Sequence, residues 1–208
     1  MSGSGSFLRY TSRLLTALAA IVACSFVLGE WCVVRSEAAQ IEIWSLYLNR
    51  EIKALTAETR HDQILVIQDH TGPAYRRWLL ALLWPAAVVS KSGPPLSRFP
   101  ELQASTYASF LLGKLRSHPI SDTLDVSAPV RLATPAVLAT YGQPAWDVQF
   151  PGSTGYFVLS TVAFNLDQTQ AVMEVDHVHG LSGHGDYILL QKVNGIWTIQ
   201  DEASTWVS

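Results

Sequence analysis

The sequence predicts an α+β domain, with N-terminal helices packed on a C-terminal four-stranded antiparallel meander. Three observations carry that expectation. Helical periodicity fills the first two-thirds of the 208 residues, strand-like segments fill the last quarter, and Asn194-Gly195 stands between two of those segments. A run of helices followed by a run of strands places the helices on one face of an antiparallel sheet.

Taken in order, the chain opens Gly/Ser-rich. Arg9 and Arg13 then precede an apolar run over 14–34, interrupted by Glu30. A spanning helix needs about 20 apolar residues, and arginines before the run put the downstream chain outside the cytoplasm. Two other readings stay open. One is a signal peptide cleaved after Ala38. The other is a lipid anchor on Cys24, since Ile21-Val22-Ala23-Cys24 resembles a bacterial lipoprotein processing box. All three place residues 40–208 across a membrane from the cytoplasm. The expected organisation is therefore 1–39 as membrane anchor or signal segment and 40–208 as a single extracytoplasmic domain. Both cysteines, Cys24 and Cys32, fall in the apolar segment, which leaves the domain without a thiolate nucleophile or cysteine metal site. A formal net charge of -3 argues against a nucleic-acid partner. Seven each of Trp, Tyr and Phe argue for a packed core rather than disorder.

Ile41, Trp44, Leu48, Ile52 and Leu55 recur at steps of three and four, which predicts a helix over 40–55 that packs on the domain. Residues 64–67 read as a short buried strand closed by a turn at Asp69-His70-Thr71-Gly72-Pro73. The apolar stretch 78–89 is too short to span a bilayer. It reads as a core helix broken at Pro85, or as an interfacial element flanked by Arg76 and Arg77. Residues 91–100 form a loop. Pro100-Glu101 starts a helix carried by Ala104, Tyr107, Ala108, Leu111, Leu112 and Leu115, and His118-Pro119 stops it. Residues 129–133 suit a short strand, and Thr134-Pro135 caps a short helix that Gly142 ends.

Strands are expected over 156–164, 170–179, 187–193 and 196–201. A two-residue Asn-Gly loop favours a type I′ turn, which needs positive φ at both positions. It sets Val193 opposite Ile196, Lys192 opposite Trp197, Gln191 opposite Thr198 and Leu190 opposite Ile199. Ile188, Leu190, Trp197 and Ile199 then share a core face, and Gln191, Thr198 and Gln200 a wetter one.

One polar cluster carries chemistry worth weighing, over residues 176–186. His177 and His179 project from one face of a strand, and His184 and Asp186 lie across a Gly-rich turn. Such imidazoles suit Zn²⁺ or Cu²⁺. The spacing matches no closed metal motif, and Met173 and Val175 share the face, so imidazoles resting at the rim of the core are the competing reading. Gly180, Gly183 and Gly185 precede a strand, which excludes a dinucleotide fingerprint. Asp69 and His70 suit a base and its orienting partner less well than a capped turn. No nucleophile elbow, phosphate loop or His-Glu-x-x-His helix occurs, so no catalytic residue is assigned.

The pattern Ser160-x-Val162-x-Phe164-Asn165-x-Asp167-x-Thr169-Gln170-Ala171, with Gly180, Gly183, Gly185, Tyr187, Leu189, Leu190, Lys192, Gly195 and Trp197, resembles the C-terminal part of uncharacterised bacterial envelope proteins. The closing meander is also similar to NTF2-like and cystatin-like domains. The resemblance implies a signal or lipid anchor and no catalytic residues. The expected function is that of a membrane-tethered, non-enzymatic binding or structural module. The alternative is a small hydrolase or metal-dependent enzyme using the His177/His179/His184 loop, with zinc as its one candidate cofactor.

Overall fold

The computed structural model describes residues 37–59, 64–72, 95–114, 117–121, 123–153 and 155–208. The expectations over 14–34 and 78–89 lie outside them. Among the described residues no helix is long and apolar enough to cross a membrane. Residues Ala38–Ser208 form one compact unit. The elements are α1 (Glu37–Thr59), β1 (Leu65–Gln68), α2 (Pro95–Arg98), α3 (Ala104–Gly113), β2 (Val130–Ala133), α4 (Pro135–Leu138), α5 (Pro144–Gln149), β3 (Gly155–Leu159), β4 (Ala163–Phe164), β5 (Gln170–His179), β6 (Ser182–Val193) and β7 (Ile196–Val207).

The α+β class holds, but the four-stranded meander is a fragment of a larger sheet. Seven strands run in the order β2-β1-β3-β5-β6-β7, with β4 paired to β5. The sheet is mixed: β1 lies parallel to both β2 and β3, while β3, β5, β6 and β7 pair antiparallel with one another. The physical reason is range. Hairpin partners are named by the turn between them, whereas parallel partners are joined by long connections that no local residue encodes.

Both faces of the sheet are covered, where one had been expected. On the first face α1 sets Ile43, Trp44, Tyr47, Leu48 and Ile52 against Ile67, Phe157, Met173, Val175, Ile188, Leu190 and Trp197. Burying each such large side chain contributes about 1.5–3 kcal/mol. Two polar contacts set the helix along the sheet: Trp44 Nε1 donates to the Ser160 carbonyl at 3.2 Å, and Gln40 Oε1 accepts from Val162 N at 3.2 Å. On the second face Phe99, Leu102 and Phe110 cover Ala163, Val172, Tyr187 and Leu189. Beside them Leu138, Trp146 and Phe150 cover Val66 and Ala133. The wetter face is thus covered over much of its area and stays wet at Thr198 and Gln200, which are exposed. Ala171, Val172 and Met173 are consecutive and all buried, as a strand packed on both sides requires.

Asn194 at φ 52 and Gly195 at φ 84 make the expected turn. All four cross-strand pairs form as expected, from Val193↔Ile196 to Leu190↔Ile199, and Trp197 is 2% exposed. Beyond them β7 runs on to Val207, with register shifts at Leu189/Leu190 and Gly185/Asp186. The turn before β5 is closed by Asn165, whose Oδ1 accepts from the backbone N–H of Thr169 and of Gln170, both at 2.9 Å. Thr134 caps α4 as expected, its hydroxyl accepting from Val137 N at 3.4 Å. Two short helices were unforeseen. α2 lies inside the expected loop 91–100, and α5 is six residues long, too short for apolar periodicity to register.

Candidate metal centre

Pairing of β5 with β6 and β3 assembles the histidines. His177 lies directly opposite His184 on β6 and opposite Phe157 on β3, and His179 is two residues along on the same face. The Gly-rich loop expected between them is instead a two-residue turn, Gly180-Leu181: His179 already pairs with Ser182. The three imidazoles therefore stand on paired strands and not on a loop. Gly183 and Gly185 are accounted for by Trp206, which lies across them. A Cβ on Gly183 would sit 2.8 Å from the Trp206 ring. Trp206 Nε1 donates to Asp176 Oδ1 at 2.6 Å and holds that ring in place. The glycines are thus explained by packing on the face opposite the histidines.

His177 is the floor of the cluster. It is 4% exposed, and its ring lies flat on Phe157, with centroids 4.0 Å apart and planes 11° from parallel. The rings of His179 and His184 approach it to 5.0 and 5.3 Å, and each other to 6.0 Å. One ring nitrogen from each falls within 4.8 Å of the other two. Among the described residues this is the one such gathering of three or more His, Cys, Asp or Glu. A tetrahedral ion at ~2.1 Å from each nitrogen holds them roughly 3.4 Å apart, so nitrogens 4.8 Å apart need close by about 1.4 Å to grip one.

Burial sets the charge state at the floor of the cluster. Burial, reinforced by the neighbouring His179 and His184, pushes the His177 imidazole down from 6.5 to about 3. It is therefore neutral near pH 7, as a ligand must be. Around the trio, Ser182 Oγ lies 3.3 Å from His179 Nδ1, and Asp186 Oδ2 lies 3.6 Å from His184 Nε2. The charge of Asp186 is also felt at Tyr47 of α1. The Tyr47 phenol is pushed up, first by burial and then by Glu51 and Asp186, against a lowering by Arg50.

Of the residues singled out in the sequence, the structure brings together His177, His179, His184 and Asp186. Asp69 and His70 are elsewhere, at the end of β1. His70 Nδ1 lies 3.0 Å from Asp69 Oδ1, and the backbone of the pair ties down the segment at Pro119 and Ile120. The capped turn expected there does not form: the backbone of Asp69, Thr71 and Gly72 bonds instead to Ala133, His118 and Leu159, and Asp69 Oδ1 caps no backbone N–H among the described residues. Sequence reasoning missed Phe157 and Ser182. The β5–β6 turn places Ser182 beside His179 once its two-residue length is known. Nothing local marks Phe157 as the platform, because its pairing with His177 spans the β3–β5 connection.

Comparison with known proteins finds no matching family model, no matching curated protein and no matching solved structure.

Proposed function

We propose that this chain is a membrane-tethered extracytoplasmic domain that binds a transition-metal ion, Zn²⁺ or Cu²⁺, through His177, His179 and His184. The observation that carries the reading is the convergence of three ring nitrogens within 4.8 Å, with the His177 ring buried beneath the other two. Imidazole nitrogen suits both ions. The tether rests on the apolar run over 14–34 and the arginines before it, and kinship with the bacterial envelope proteins rests on the turn and strand residues of the last quarter.

Binding to the folded state alone raises stability by mass action, so Zn²⁺ or Cu²⁺ in excess raises the melting temperature of the full-length protein. The gain is about 2.7 kcal/mol at a free concentration a hundred times Kd. Replacing all three histidines with alanine removes the shift. A wild-type protein whose melting temperature ignores both ions contradicts the reading. Membrane fractionation of the full chain tests the tether separately.

A further inference from the structure

We infer that an ion on the histidine trio keeps one coordination position open, and that this position takes water or a small anion. The inference rests on the metal reading above and deepens it. Its first support is direction. All three donors rise from one face of two paired strands, so they reach an ion from the sheet side and leave the opposite hemisphere free of sheet ligands. Structural zinc sites surround the ion with four protein donors, whereas three protein donors and an exchangeable water mark a site that handles ligands.

The second support is access. α1 seals the neighbouring positions Val175 and Ile188 on this face. His184, by contrast, keeps 33% of its side chain in solvent, and His179 is also partly exposed. The cluster thus has a buried floor in His177 and a wet rim in the other two. The third support is charge. Three neutral imidazoles leave a divalent ion with both its charges. The Asp186 carboxylate, 3.6 Å from His184 Nε2, stands beside that ligand and outside the three-donor group itself. An ion so held is electron-poor at its open position. It draws a hydroxide, carboxylate or azide-like anion there, and polarises a bound water.

Co²⁺ reports both binding and the identity of the fourth ligand through its visible absorption. The full-length protein is loaded with Co²⁺ and titrated with azide, with free Co²⁺ in the same buffer as the control. The expected result is intense visible bands of four-coordinate cobalt that shift saturably as azide is added, at concentrations where free Co²⁺ is unchanged. Bands that form but ignore azide mean a protein group fills the fourth position; that overturns this inference and leaves the metal reading standing. An absence of bands, with no thermal shift from Zn²⁺ or Cu²⁺, overturns both. In His184→Ala, which removes a rim ligand and spares the buried floor, the bands weaken or vanish while the fold is retained.

Discussion

His177 shows how one side chain couples burial to pH. Its folded pKa is about 3 against an ordinary 6.5, because burial and two neighbouring imidazoles oppose the charge. Between those values the unfolded chain holds a proton that the folded ring refuses. Stability from this group is therefore fully present above pH 6.5 and is lost as pH falls towards 3. In metal-free protein with chelator present, the melting temperature should decline over that window. His177→Phe keeps a flat ring against Phe157 and removes the titration, so its decline should be shallower. Equal slopes for the two proteins would show that the buried imidazole is not the group responsible. The alternation of side chains along a strand put His177 and His179 on one face from sequence alone. The ring beneath them was not legible, because Phe157 is brought there by a pairing about twenty residues away in the chain.

At the scale of elements, α3 is joined to β5 by a charge pair that is buried at its lysine end and partly exposed at its glutamate end. Lys114, only 7% exposed at the end of α3, bonds Glu174 on β5. Its ammonium also lies 4.5 Å from the Phe110 ring centroid. Glu174 in turn helps burial to push the Tyr187 phenol up. Removing one partner of such a pair leaves an uncompensated charge. Lys114→Ala should cost on the order of 3–5 kcal/mol in urea unfolding, and the double change Lys114→Met with Glu174→Leu should recover much of it. If the single change costs under about 1 kcal/mol, the pair is a solvated one in practice. Periodicity put a helix at α3 and strands at β5 and β6. It did not say that α3 sits on the opposite face from α1, since an apolar stripe says that a helix is buried and not against what.

Across the described residues, seven strands with helices on both faces give unequal protection. β5 and β6 are paired on both edges and covered on both faces by α1 and α3, whereas β2 and β7 are the two outer strands. Amide exchange should be slowest in 171–175 and 187–190, and fastest among sheet residues in 130–133 and at the outer edge of β7. Uniform protection across the sheet would contradict that layering. The sequence by itself determined the α+β class, the long first helix, the bounds of β5, the Asn194-Gly195 turn and every pair it dictates. Each rests on neighbours a few residues apart: helical spacing, strand alternation, or a turn that needs positive φ. The tertiary structure alone decided that Leu65–Gln68 and Val130–Ala133 join the sheet in parallel, that helices cover both its faces, and that Phe157 lies beneath the histidines. Those contacts close long loops, and their selection depends on how the whole apolar surface is buried at once.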